Sequence, residues 1–327
     1  MRAVVYEEYG DPAVVLGLGE RPVADPKPGE IRVKTSFAAI HNHDLATVRG
    51  IYGVRPQLPA IGGTEAAGVV DAVGEGVTHL KVGQRVAGFA HSGTWAEYFL
   101  MAASGALPLP EAITDEQGCQ LVAMPISAMA LLRTYKVEKN QFLAQNTANG
   151  AVGKVLALLA REDGINVIHL VRSDDAVKEL EALGVTHVVS TADEGWKKKA
   201  RALAGGADIV YGIDSIGGKG AGQMLALLSD KGTLVAFGSM TGEPMEVDTG
   251  EMIFRQKKIE GFWLSRFMPA LSPADMGAMI GELVKKVATG VIQLPVAGVY
   301  GFDQAAEAAS ASVRASRHGK VLFRGQR

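Results

Sequence analysis

The stretch Gln145-Asn146-Thr147-Ala148-Asn149-Gly150-Ala151-Val152-Gly153-Lys154 holds residues whose spacing could do chemistry. It reads A-x-G-x-x-G, a variant of G-x-G-x-x-G in which Ala148 takes the place of the first glycine. Such a turn lets backbone N–H groups approach a pyrophosphate, and a helix starting at its end adds the positive pole of its dipole. The candidate donors are Asn149, Gly150, Ala151, Val152 and Gly153. About 20 residues on, an acidic residue would bond a ribose 2′-OH, and an arginine would pair with a 2′-phosphate. Arg172 and Ser173 stand there and suit the phosphate through charge-assisted hydrogen bonds, which favours NADPH over NADH. Asp174-Asp175 is read as the cap and first turn of the next helix, where carboxylates are stabilised.

The elements that must position these residues follow from pattern. Phe142-Leu143-Ala144 reads as a buried strand before the turn, and the apolar run 155–160 as a helix after it. Strand and helix then alternate: strands at 166–171, 187–190, 208–214 and 232–238, and helices at 174–183, at 196–203 and around 224–228. This rhythm implies a parallel sheet with helices on both faces and ligands at the carboxyl ends of its strands. Gly238-Ser239-Met240, ending the fifth strand, then becomes a candidate contact for the nicotinamide-side phosphate or ribose.

Residues 1–120 instead read as short glycine-punctuated strands, at 3–6, 31–35, 67–74, 82–88 and 95–100, which suggests a barrel-like β domain. The last part returns to that character, with an amphipathic helix at 276–288, strands at 296–300 and 320–323, and a helix at 304–312 between them. The expected organisation is α/β: a discontinuous β-barrel domain of residues 1–120 and 266–327, interrupted by a doubly wound parallel-sheet (Rossmann) domain of residues 121–265.

Composition narrows the function classes. A formal net charge of −2 in 327 residues gives no electrostatic reason to expect nucleic acid or an anionic membrane as partner. No apolar run reaches membrane-spanning length, and the N-terminal residues carry acids where a signal peptide needs an apolar stretch, so a cytoplasmic protein is expected. Cys119 is the one cysteine, which excludes an intrachain disulfide and a Cys-rich zinc site; it is read as a small buried residue without an activating partner.

A β domain interrupted by a dinucleotide fold resembles the medium-chain dehydrogenase/reductase superfamily, whose catalytic domain is GroES-like. Three segments are similar to its 2-enoyl thioester reductases and to their relatives in the quinone oxidoreductase group: residues 145–153, Leu170-Val171-Arg172, and Gly261-Phe262-Trp263-Leu264-Ser265. A fourth, from Asn42-His43-Asp44 through Ile51-Tyr52-Gly53 to Gly62-Gly63-Thr64-Glu65, is similar to the stretch holding the family's active-site tyrosine. The resemblance implies Tyr52 and Asn42 as catalytic residues, Phe262 and Trp263 beside the cofactor, Lys320 reaching the adenosine phosphate, and a homodimer. Trp263 also reads as core packing, and Lys320 as an exposed strand lysine. Two departures stand out: Met124-Pro125-Ile126-Ser127-Ala128 replaces Asn-Pro-x-Thr-Ala, and Asn42-His43-Asp44 replaces Asn-Pro-Ser-Asp.

The zinc-dependent branch is set aside on chemistry. Asn42 and Gly63-Thr64-Glu65 stand where that branch needs a cysteine and Gly-His-Glu. His41 and His43 sit two apart in a connecting segment with no third ligand at a recognisable interval, so His41, His43 and Glu65 are read as polar loop residues and no metal is expected. The resemblance then implies conjugate reduction of an α,β-unsaturated carbonyl compound such as an acyl thioester, with Tyr52 donating a proton or holding the enolate oxygen. The alternatives are a quinone or broad enone reductase, and a crystallin-like NADPH-binding protein without turnover.

Overall fold

The computed structural model describes residues 1–90, 93–314 and 317–325. Two compact units are present: residues 124–282, and residues 1–123 together with 283–327. The first boundary expected from sequence lies within a few residues of this division. The second, placed at 265/266, differs: residues 266–282 belong to the inserted unit.

The inserted unit is built on a six-stranded sheet in the order Val188–Ser190, Val167–Val171, Gln141–Gln145, Asp208–Asp214, Thr233–Ala236, Lys258–Gly261. Every neighbouring pair is parallel. The chain enters at the central strand Gln141–Gln145, builds outward to one side, then crosses back to build the other. The carboxyl ends of Gln141–Gln145 and Asp208–Asp214 therefore lie at the switch point where such sheets bind ligands. Side-chain alternation divides the core. Ile168 and Leu170 join Trp196, Ala200, Met224 and Leu225 in one cluster, whereas Val171 joins Ala157, Leu158 and Leu180 in another. The helices Trp196–Leu203 and Gly218–Leu227 thus bury their apolar stripes in the first cluster, and Ala151–Asp163 and Asp174–Ala182 theirs in the second. The sixth strand was not legible, because Lys-Ile-Glu-Gly carries one large apolar residue and sits at an edge.

In the discontinuous unit the ten-residue strand Glu30–Ala39 is the spine. It pairs antiparallel with Glu65–Val73, with Tyr98–Ala102 through its first half, and with Lys320–Arg324 through its last residues. That third ladder draws the C-terminal segment back into this unit. A smaller three-stranded sheet joins Gly17–Glu20, Arg2–Tyr6 and Ala60–Ile61. The core gathers Tyr6, Ile31, Val33, Trp95, Phe99 and Phe323.

Trp95 explains a glycine pair in this unit. Its ring is fully buried, its Nε1 donates to the Ala39 carbonyl at 3.0 Å, and it meets Phe323 edge-on at 5.2 Å. A Cβ on Gly62 would lie 2.3 Å from the indole, and one on Gly63 2.2 Å from it, while Gly63 also has φ +88°. The backbone leading into Thr64-Glu65 is thus pressed against the tryptophan face. Gly62→Ala is expected to destabilise this unit by about 1–3 kcal/mol, the usual cost of overpacking. The check is the urea-unfolding midpoint; an unchanged midpoint would show that the ring can yield.

Candidate active site

The phosphate turn begins where the strand Gln141–Gln145 ends. Gly150 caps the helix Ala151–Asp163, and the Gly150 amide closes the turn on the Thr147 carbonyl at 2.7 Å. Lys154 N–H, at 2.8 Å from the Gly150 carbonyl, makes the first helical bond, so the amides of Ala151, Val152 and Gly153 have no intrahelical acceptor. Asn149, Gly150, Ala151 and Val152 are partly exposed. Gly153 is buried, and a Cβ there would lie 2.6 Å from the Thr147 carbonyl oxygen and 2.7 Å from Ala148 Cα. The helix can approach the turn so closely only because position 153 has no side chain. Left-handed backbone falls on Thr147, with φ +49°, rather than on Ala148, whose methyl is wholly buried. An alanine at the first-glycine position is therefore a packing residue.

Two buried side chains that sequence reasoning missed tie the switch point together. Asn146 Nδ2 donates to Asp214 Oδ1, and Asn146 Oδ1 accepts from Ser215 N–H at 2.8 Å. Asp214 also accepts from the amides of Ile216 and Gly217 at 3.2 and 2.9 Å. The available signal was an amide and a carboxylate each closing an apolar strand. Gly238, Ser239 and Met240 fold against the same end: Gly238 N–H donates to Asp214 O, and Met240 N–H to Ser215 O, both at 3.1 Å. The strand itself stops at Ala236, two residues before the sequence reading, because Phe237 and Gly238 both turn their amides to Asp214 O.

Arg172 follows the second strand, exposed, and its guanidinium makes no hydrogen bond or ion pair among the described residues. Ser173, not Asp174, is the cap of the next helix, its Oγ accepting from Ala176 N–H at 3.4 Å; Asp174 and Asp175 fill the first turn. The Ser173 hydroxyl keeps its proton for an anion. Phe262, at the end of the sixth strand, is buried and packs against Tyr135, Phe237 and Phe267, which makes it a core residue. Trp263 is half-buried with Arg266 over its ring.

Lys320 requires a correction. It belongs to the discontinuous unit, where it is buried, with Nζ directed at the Ile40 carbonyl at 3.4 Å. It is not an exposed strand lysine, and burial lowers its pKa to about 8.

The residues read as a polar loop are also corrected. Asn42–Val48 is a helix, His41 is its N-cap, and the His41 amide donates to Asp44 Oδ2 at 2.8 Å. His41 and Glu65 are fully buried and share a hydrogen bond of 2.8 Å between Nε2 and Oε2. Glu65 also accepts from the amides of Val122 and Ala123 at 2.5 and 3.1 Å. Burial outweighs these bonds and raises Glu65 to about 8, while burial and nearby Lys320 hold His41 well below its ordinary range. Burial thus drives both members of the pair towards their neutral forms. His43 makes a 2.7 Å bond to Thr64 Oγ1, and its ring stacks on Tyr52 at 5.6 Å. Tyr52 thus stands beside this cluster, whereas Asn42 points outward and makes no hydrogen bond among the described residues. Sequence alternation around 41–44 was too short to show that His41 and Asp44 turn inward. Cys119 is buried, and burial pushes its thiol well up. Among the described residues, no group of three or more His, Cys, Asp or Glu is placed to hold a metal ion, and no helix is long and apolar enough to cross a membrane.

A parallel sheet with a phosphate turn, set into a discontinuous β unit, defines a two-part dehydrogenase architecture. Residues 151–285 match the zinc-binding dehydrogenase family model and residues 27–111 the alcohol dehydrogenase GroES-like domain. The mitochondrial enoyl-[acyl-carrier-protein] reductase of Caenorhabditis elegans is 32% identical, covering 89% of this chain and 86% of its own length. That of Arabidopsis thaliana is also 32% identical, over 86% and 77%. The Escherichia coli quinone oxidoreductase complexed with NADPH matches with a TM-score of 0.90 at 27% identity, covering 99% of this chain and 100% of that one. The chain belongs to the medium-chain dehydrogenase/reductase superfamily, in its group of enoyl reductases and quinone oxidoreductases.

The Glu65 carboxyl gives a pH prediction. Its folded pKa, about 8, lies above the ordinary 4.5, so its proton favours the folded state. That contribution is complete below pH 4.5 and is lost as pH rises towards 8. Glu65→Gln cannot titrate, so its stability relative to the parent should rise between pH 5 and pH 8.5. Urea unfolding of both proteins at the two pH values checks this, and a constant difference would contradict it.

Proposed function

We propose that this chain is an NADPH-dependent reductase of the C=C bond in α,β-unsaturated carbonyl compounds, with 2-enoyl thioesters as its main substrates. The observation that carries the cofactor reading is the phosphate turn at Gly150–Gly153 followed, at the end of the second strand, by Arg172, which is unpaired among the described residues. The cradle that a Cβ at Gly153 would fill, the free helical amides and the waiting guanidinium fit a pyrophosphate and a 2′-phosphate. Asn149, Gly150, Ala151, Val152 and Gly153 would hold the first, Arg172 and Ser173 the second, and Gly238-Ser239-Met240 the nicotinamide side. When bound, NADPH supplies the hydride that reduces the β-carbon of the substrate.

The chain's own contribution is to orient groups and to handle charge. As the β-carbon is reduced, negative charge gathers on the carbonyl oxygen, where a phenol is a suitable hydrogen-bond partner or proton source. Tyr52 takes that role in this reading. Its support is the motif resemblance and the ring's place beside the buried His41–Glu65 pair and the half-buried His43–Thr64 pair. The thioester substrate class is supported by the enoyl reductase names of the relatives, and a quinone acceptor is the second reading, favoured by the match to the E. coli quinone oxidoreductase. A homodimer and a cytoplasmic location belong to the same proposal. The dimer is supported by the open edge strand Lys258–Gly261 and the exposed Ile253 and Phe254 before it, and sedimentation velocity tests it.

Two outcomes follow. Arg172→Ala should weaken NADPH binding at least tenfold and NADH binding less than threefold, because a charged hydrogen bond to phosphate is worth about 1.5–3 kcal/mol. Equal loss for both nucleotides, measured by fluorescence titration, would remove the phosphate assignment. Tyr52→Phe should lower kcat on crotonyl thioester about 100-fold, the lower end for general acid catalysis, with NADPH affinity kept. An unchanged kcat takes the tyrosine out of the chemistry. Parallel assays with a simple enone and a quinone rank the acceptors.

A further inference from the structure

His43 is a half-buried member of this cluster to which the proposed chemistry gives no task. Its ring lies among three others: His41 stacked at 5.1 Å and 16°, Tyr52 stacked at 5.6 Å and 29°, and Phe89 tilted at 6.1 Å. These are ordinary separations for attractive aromatic pairs.

The ring is held in one orientation. Thr64 donates its hydroxyl proton to Asp44 Oδ1 at 2.7 Å, so the same oxygen can only accept from His43 Nε2, also at 2.7 Å. His43 therefore carries its proton on Nε2. Asp44 is itself fixed, because its other oxygen receives the His41 amide at the start of the helix Asn42–Val48. A chain of hydrogen bonds thus runs from the helix N-terminus through Asp44 and Thr64 to the imidazole, and the imidazole face meets Tyr52.

Tyr52 sits where such a support can act. It follows the end of the helix in a segment with little regular structure, and residues 53–58 make no backbone–backbone hydrogen bond among the described residues. Its neighbours Ile51 and Val54 are exposed. A side-chain tie, Tyr9 Oη to the Pro56 carbonyl at 2.6 Å, holds the far part of the segment, and the Tyr52 ring lies against the His43 imidazole at 5.6 Å and 29°.

We infer that His43 is a positioning residue for Tyr52: pinned by Thr64 and Asp44, its imidazole is the surface against which the phenol ring rests, and so it sets the direction of the phenol oxygen. This rests on the reading of Tyr52 as the group that meets the substrate oxygen.

Five variants of the full chain test it: Tyr52→Leu, and His43→Leu and His43→Phe each made alone and on the Tyr52→Leu background. Each is assayed for kcat and KM with crotonyl thioester and for NADPH affinity. His43→Leu should lower kcat about tenfold, with KM and NADPH affinity within twofold, since an aromatic pair couples by about this factor. His43→Phe, which keeps a flat ring, should recover kcat to within about threefold of the parent. On the Tyr52→Leu background His43→Leu should cost nothing further, the non-additivity expected of residues acting as one. The inference is overturned if the loss persists undiminished on that background, if Leu and Phe are equally damaging, or if His43→Leu costs nothing. Should His43→Leu not fold, Thr64→Val carries the test, because it frees the ring without removing it. A kcat loss of about threefold in the parent and none on the Tyr52→Leu background supports the inference, and loss in both or in neither overturns it. If Tyr52→Leu itself leaves kcat intact, the catalytic reading of Tyr52 falls; if Tyr52→Leu is slow but the His43 effect is additive, only the positioning role falls.

Discussion

The contact between Gly153 and the backbone of Thr147-Ala148 sets the geometry of the inserted unit. With 2.6 Å between a Cβ at 153 and the Thr147 carbonyl oxygen, any side chain would drive the helix away from the turn. Because the helix sits so close, its first amides reach past the end of the sheet rather than into it, and its positive pole lies where the strand order reverses. Asn146 and Asp214 then lock the two central strands at that point, and the 238–240 turn bonds to the carbonyls of Asp214 and Ser215. Arg172, one strand away, has no charge partner among the described residues. A folded protein keeps such a cation at a carboxyl end for a ligand more readily than for stability, since an isolated surface charge contributes little to folding.

The discontinuous unit uses the opposite device. It removes a carboxyl, an imidazole and an ammonium from water and settles them by shifting their protons. Glu65, His41 and Lys320 are all buried; burial drives each towards its neutral form, and the backbone amides of Val122 and Ala123 work against that for Glu65. A buried neutral pair avoids the desolvation cost of an ion pair and still demands an exact partner. Trp95, pressed on Gly62 and Gly63, fixes the strand that delivers Thr64 and Glu65 to this cluster. Half-buried Tyr52 stands at its margin, its ring stacked on that of His43, which is itself bonded to Thr64.

The alternation of the inserted unit was legible because buried parallel strands such as Val167–Val171 are almost continuously apolar, and because glycines such as Gly184 mark helix ends. Trp196–Leu203 and Asp208–Asp214 fall where periodicity places them. What periodicity misses is an edge strand such as Lys258–Gly261, whose residues face water on most sides. It also misses the helix Asn42–Val48, whose first turn is made of His, Asp and Asn side chains that usually signal loops. The same blindness hid the His41–Glu65 pair. Twenty-three residues lie between the partners, and only the fold brings a strand-start glutamate against a helix-cap histidine. Lys320 misled for a related reason: a lysine beginning a strand is ordinarily exposed, and its burial depends on a ladder with Glu30–Ala39 nearly three hundred residues away in sequence.

Every role assigned above serves one transfer: hydride from NADPH to the β-carbon of an enoyl thioester. The most direct measurement is to supply NADPH deuterated at the transferring C4 position with crotonyl thioester and to locate the label in the product by NMR. One deuterium is expected on the β-carbon, with the α-carbon taking its hydrogen from solvent. Label on the α-carbon, or NADPH left unoxidised by the thioester while a quinone is reduced, would contradict it.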